Sequence, residues 1–308
     1  MTRTGYRIRQ SGVAILSAML LTALALSVVA GLFWQQQVQV RSIENQRLQL
    51  QKQWVLRGAF DWARLILTED LRHSQTDDLQ EVWATPLAET RLDSFLDKEP
   101  DAPEKRRATL SGSIADAQAR LNLNSLAKAS TIVPGEVLAF QRLLRHLQLS
   151  PELALSTARV IANSQQRAGA GDAAVLPLSS ADDLLSIPGF SVSTVNRLRP
   201  FVIFLPRPTA VNVNTASAEI LMARMAPLSE SEAAALIASR RIASFRDVQD
   251  FLARLPGKKV SVDGGEISVA SDFFLVEGRV AIDYAAQHIE GLIERHRAGT
   301  RLVWARQV

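Results

Sequence analysis

Side chains able to do chemistry are present in this chain, but their spacing does not group them. The four histidines, His73, His146, His288 and His296, are scattered, with no H-E-x-x-H pair to set two imidazoles on one helix face around zinc. The absence of cysteine removes disulfides, a thiolate nucleophile and cysteine-ligated metal together. No serine stands in a G-x-S-x-G elbow, and there is no P-loop and no G-x-G-x-x-G following a strand. Two acidic pairs, Asp77-Asp78 and Asp182-Asp183, fall in loops or at helix starts. Carboxylates there favour water and the positive end of a helix, so both pairs are read as solvated caps. No catalytic residue is assigned, and the chain is read as a non-enzyme.

The elements that carry these residues begin with the N-terminus. Arg3, Arg7 and Arg9 precede Gly12, and the next 22 residues, VAILSAMLLTALALSVVAGLFW, hold no charge. At about 1.5 Å per residue such a helix spans roughly 33 Å, enough for a hydrocarbon core of roughly 30 Å. A cleaved secretory signal would have a shorter apolar run and a small-x-small site, whereas Gln35-Gln36-Gln37 follows Phe33-Trp34 directly. An uncleaved signal anchor is the plain alternative. The basic side stays cytoplasmic by the positive-inside tendency. The chain is therefore expected to cross a membrane once, with its N-terminus cytoplasmic and its bulk on the far side.

Helical patterning continues without proline from Gln35 to about Leu71. Val40, Ile43, Leu50, Trp54, Trp62 and Ile66 recur at steps that put one apolar stripe on one face, with Gly58 midway between the two tryptophans. The aromatic second half, Trp54, Phe60 and Trp62, is expected to pack onto a globular domain. Residues 73–109 read as a charged loop region, and 110–126 as a strand-like start with an Asn-rich turn. Helices follow at 135–147 and 151–167, then a flexible loop at 168–174. From about Val260 the alternation and β-branched residues predict three or four antiparallel strands. Residues 287–297 are read as a strand, with Gly299-Thr300 turning into Arg301–Arg306. The fold class expected is α+β: a long N-terminal helix packed on an antiparallel sheet, with a large helical domain inserted between the strand near 110 and the sheet.

Within that insertion, LLSIPGFSVSTVNRLRPFV (184–202) and the segment 211–255 resemble helix-hairpin-helix units, the second with Thr215 or Ser217 placed to cap a helix start. Such units elsewhere hold DNA phosphates on backbone N–H groups. Residues 176–256 contain eight Arg or Lys against seven Asp or Glu, too nearly balanced for a phosphate-binding face. A structural helical module is favoured, no nucleic acid is expected, and a membrane-anchored DNA receptor of the competence type is kept as the alternative.

Gly12 followed by an apolar run that extends into an amphipathic helix resembles the type IV pilin and pseudopilin signature. The resemblance implies that prepilin peptidase cuts between Gly12 and Val13 and that Val13 is then N-methylated. Most major pilins carry glutamate at the fifth mature position; here that position is Ser17, and no acid occurs in 13–34. A carboxylate in lipid needs a partner such as a neighbouring N-terminal amine, so its absence suits a subunit with nothing above it. Together with DAQARLNLNSL (116–126), the Ile-Pro-Gly turn and the NVNTAS segment, this departure resembles the type II secretion system protein K family, the large minor pseudopilins.

The resemblance implies a leader 1–12, a transmembrane helix 13–34, a stem and first part of a pilin-like domain 35–126, an inserted helical domain 127–258 and a C-terminal sheet 259–308. It also implies a place at the tip of a periplasmic pseudopilus. The partners implied are the other minor pseudopilins, the major pseudopilin, the inner-membrane platform, prepilin peptidase, and the secretin or an exported substrate. Some family members bind calcium, which takes about six to eight oxygens. In 162–183 Asp172 is the lone acid until Asp182, so no calcium ligands are carried over and the metal is left open.

Overall fold

A computed structural model describes residues 11–92, 108–165, 176–255, 266–282 and 285–307. Helix α1 (Ser11–His73) runs unbroken for 63 residues, as the missing prolines and the run of Leu, Ala, Gln and Arg predict. Arg72 and His73 in its last turn complement the negative helix end. The chain forms two compact units, residues 1–55 and 56–308. In the first, Ile15–Ile43 has a mean hydropathy of 2.3 and none of its apolar window is buried.

In the second unit the last turns of α1 bury Leu56, Phe60, Ala63 and Leu67, at steps of four, three and four. The expected stripe through Trp62 is therefore rotated: Trp62 remains 48% exposed, and Phe60 is the aromatic that packs. Five strands form one antiparallel sheet: β1 (Leu87–Arg91), β2 (Ala108–Asp116), β9 (Phe273–Ile282), β10 (Ala285–His296) and β11 (Gly299–Gln307), ordered β1-β2-β9-β10-β11. Strand alternation gives the sheet two apolar faces. Phe274, Val276 and Ile293 meet Phe60, Ala63, Leu67 and Trp83, with the Trp83 and Phe274 rings edge-on at 5.1 Å. Phe273, Leu275 and Leu292 on the opposite face meet Ala117, Ile203 and Leu205.

Residues 287–297 are strand as expected, but the hairpin turns earlier, at Arg297-Ala298, because His296 pairs with Gly299 and Gly299 takes a φ of 130° that suits glycine. Strand β1 was not anticipated within the loop region. Its LAETR sequence lies at the sheet edge, mostly exposed, and lacks the apolar alternation of a covered strand.

Between β2 and β9 the chain leaves the sheet and returns to the same place, since Asp116 is the register partner of Phe274. The excursion carries β3 (Leu121–Asn122), β4 (Ala127–Lys128), β5 (Thr131–Ile132), α2 (Pro134–His146), α3 (Glu152–Ser164), α4 (Val192–Leu198), β6 (Val202–Ile203), β7 (Val211–Asn212), α5 (Ala218–Arg224), α6 (Glu230–Ile242), α7 (Val248–Ala253) and β8 (Ile267–Ser268). Phe140, Leu143, Leu184, Leu198, Leu221 and Phe251 belong to its own core. Two short parallel ladders, β3 with β6 and β7 with β8, tie each end of the excursion to its middle.

Candidate functional site

The polar side chains that the sequence scatters meet at one buried junction where α1, the sheet and the insertion converge. Asp70 comes from the last turns of α1, Asp77 from the following loop, Asp116 from the end of β2, Asn212 and Thr215 from the insertion, Ser271 from the approach to β9, and Arg295 from β10. Arg295 donates to Asp70 Oδ2 at 2.7 Å, to both Asp77 oxygens at 2.5 Å and to the Ser271 carbonyl at 3.0 Å, while its guanidinium lies 4.6 Å from the centre of the Phe274 ring. Such a fork suits carboxylates better than a lysine could.

Asp77 is 1% exposed, so its reading as a solvated cap is overturned. The chain turns it inward because Ser271 N–H and Arg295 are its partners, not water. Burial pushes its carboxyl up to about 7, against the pull of Arg295. Burial also raises Asp70 and Glu81, which Arg295 and Trp83 respectively pull back. Asp116 is fully enclosed and raised for the same reason, although it accepts Gln118 N–H, Asn212 Nδ2, Thr215 Oγ1 and Ser271 Oγ. The hydroxyl of Thr215 is therefore spent on Asp116 and caps no helix; Ser217 holds the cap position of α5 but makes no capping bond.

Asp78 and the second acidic pair behave as caps. Asp78 Oδ1 accepts from Gln80 N–H at 2.7 Å. Asp183 closes a capping box with Ser180, and Asp182 faces Arg199 at 2.5 Å. The asparagines of the two motif segments act as staples. Asn122 Oδ1 accepts from Asn124 and Leu205 N–H, and Asn214 exchanges two hydrogen bonds with the Phe245 backbone. Arg240, buried beside them, donates to the Val213 carbonyl at 2.6 Å, and burial lowers it to about 10.

The tightest acidic group among the described residues is Asp70, Asp77 and Glu81, each offering an oxygen within 4.8 Å of the others. Its counter-ion is Arg295, so the group is read as a closed ionic junction and not as a metal centre. Asp172 of the loop considered for calcium lies outside the described residues. His73 ends α1, His146 ends α2, and His288 and His296 lie exposed on β10. Gly12 and Val13 lie inside α1, near its start.

The sequence matches two family models, both described as type II secretion system protein K, over residues 119–207 and 211–270. It is 29% identical to the type II secretion system protein K of Pseudomonas aeruginosa across 97% of this chain and 93% of that protein. The fold is similar to a chain in the crystal structure of the GspK-GspI-GspJ complex from the enterotoxigenic Escherichia coli type 2 secretion system. There the TM-score is 0.67 at 21% identity, covering 87% of this chain and 99% of that one.

Proposed function

The chain belongs to the type II secretion system protein K family, and from that membership we propose that it is a minor pseudopilin standing at the tip of a periplasmic pseudopilus. There it initiates or caps assembly for the export of folded proteins. The observation that carries this reading is the uninterrupted α1, whose uncharged run is exposed from Ile15 onward and has Ser17 where a repeating subunit would carry an acid. An exposed apolar helix is a single-pass anchor in lipid and an assembly element against neighbouring helices. The work is assembly, not catalysis.

The relative whose fold it shares is crystallised with two partners, GspI and GspJ, which supports the corresponding minor pseudopilins as neighbours of this chain. The insertion, with its own core, is the part free to meet a secretin or cargo. Its helix-hairpin-helix-like turns bury Ile187, Val195 and Leu198 in that core, which supports a structural role over a DNA receptor.

Processing follows from the same reading. Prepilin peptidase cuts between Gly12 and Val13, and the new amine of Val13 is methylated. Mass spectrometry of the protein isolated from membranes tests this directly. The expected N-terminal peptide starts at Val13 and is heavier by one methyl group; a peptide that still contains Gly12 would overturn the pseudopilin reading.

A further inference from the structure

The junction holds more acid than one guanidinium can balance. Asp70, Asp77 and Glu81 converge within 4.8 Å, and Asp116 joins them through Ser271 and Asn212. Among the described residues, Arg295 is the cation hydrogen-bonded into the set. Arg120 acts on Asp116 through the field alone, and more strongly on Glu290 and Glu277. Asp272 turns its carboxylate to Arg207, while His73 and Glu69 pair on the exposed side of α1. The insertion contributes neutral groups, Asn212 and Thr215. Asp78 adds a further negative charge near Asp70. Four ionised carboxylates here would leave three negative charges poorly hydrated, and a buried acid neutralises by protonation far more cheaply than it stays charged.

The hydrogen bonds show where a proton has room. Asp116 accepts four donors at 2.6–2.9 Å, the pattern of an ionised carboxylate. Glu81 accepts Trp83 Nε1–H at 2.7 Å and Asp78 N–H at 3.1 Å, and the Ser74 hydroxyl is a third partner able to donate. Asp70 and Asp77 instead face each other within hydrogen-bonding reach, and Arg295 donates to Asp70 Oδ2 and to both Asp77 oxygens. Two carboxyls in contact do not both ionise readily.

We propose that Asp70 and Asp77 are a carboxyl pair that holds one proton between them, and that this proton, with Arg295, latches the end of α1 to the sheet and the insertion. The upward push of burial on both carboxyls agrees with this. When the proton leaves, two like charges oppose each other at the point where the three elements meet, and the junction loosens. Stability then falls as pH rises through the titration of the pair, because the folded state binds a proton that the unfolded chain has already lost.

The test uses the full-length protein in detergent micelles, with urea unfolding followed between about pH 5 and 8. For the wild type the unfolding equilibrium constant is expected to rise by up to about tenfold per pH unit within that window. Asp70→Asn supplies an uncharged donor in place of the protonated acid and should remove the slope; Asp78→Asn should keep it. The infrared carbonyl stretch of a protonated carboxyl should be present in wild type on the acid side and absent in Asp70→Asn and Asp77→Asn. If Asp77→Asn does not fold, Asp70→Asn alone decides both readings. A slope that survives in Asp70→Asn, or a wild type without the protonated-carboxyl band, overturns the proposal. So does a wild-type slope abolished by added calcium, which would mean that the pair takes a metal ion instead.

Discussion

Gly291→Ala probes how α1 seats on the sheet. Gly291 lies on β10 opposite Phe60, and a Cβ built there would stand 2.4 Å from Phe60 Cε1, 2.6 Å from Cζ and 3.2 Å from the Trp304 carbonyl. Carbon atoms rest at about 3.5–4.0 Å, so the ring has to retreat by about 1 Å or more. It has little space, because Phe60 belongs to the cluster of Ala63, Leu67, Trp83, Phe274, Val276 and Ile293. Overpacking of this kind costs about 1–3 kcal/mol if the ring slides aside. If the ring is expelled the loss approaches that of a large-to-small core change, about 3–5 kcal/mol. Either value is a large share of a domain stability of about 5–15 kcal/mol. The assay is urea unfolding of the full-length chain in detergent, read by tryptophan fluorescence with Trp83 buried in the same cluster. Gly58→Ala on α1 is the contrast: nothing lies within 4 Å of its Cβ, and removing a mid-helix glycine should stabilise by about 0.5–1 kcal/mol. Combining Gly291→Ala with Phe60→Leu should recover part of the loss, an interaction energy of about 0.5–3 kcal/mol. The reasoning fails if Gly291→Ala unfolds within about 0.5 kcal/mol of wild type, or if the double variant equals the sum of the singles.

Two further outcomes follow from charge. Arg295→Gln leaves Asp70 and Asp77 buried without their cation and should cost about 3–5 kcal/mol near neutrality. The loss should shrink on acidification as the carboxyls neutralise, and Asp77→Asn in the same chain should restore much of it; thermal midpoints at acid and neutral pH compare the three. Carboxylates nearer the surface act at the other end of the scale. Arg199 holds Asp182 low, Arg301 and Arg207 hold Glu294 low, and Asp183 is held low because the Ser179 and Ser180 bonds outweigh its partial burial. Groups depressed on folding stabilise above their unfolded pKa and lose that contribution as pH falls through the folded one. Acid unfolding should thus set in below about pH 4, and Asp183→Asn should flatten it.

What could be read ahead of the structure was whatever repeats locally. The apolar run and the missing prolines define α1, and the alternation of Phe273–Ile282 and of residues 287–297 defines two strands of the sheet. Of the aromatics expected to pack, Phe60 is covered and Trp54 and Trp62 are not, because rings two apart on a helix lie on different faces and only the partner sheet decides which is covered. The junction was not legible, because its members lie in separate stretches, at 70–81, 116, 212–215, 271 and 295, and no short window reaches from one stretch to the next. One signal was available. Asn212 and Asn214 alternate with the apolar Val211 and Val213, and polar residues locked into so apolar a segment must find partners inside.

The register of β2 on β9 has a consequence for how such a chain can vary. Because Asp116 and Phe274 are direct cross-strand neighbours, residues 117–273 are, to the sheet, the loop of a single hairpin. Loop-closure entropy grows only with the logarithm of loop length, so that loop can lengthen or shorten at little entropic cost as long as it still covers Phe273, Leu275 and Leu292 of the sheet. The chain is in this sense a mount and an attachment. Joining β2 to β9 by a two-residue turn would strip Phe273, Leu275 and Leu292 of their cover, so another module grafted between Asp116 and Phe274 fits the same fixture only if it brings an apolar face of its own.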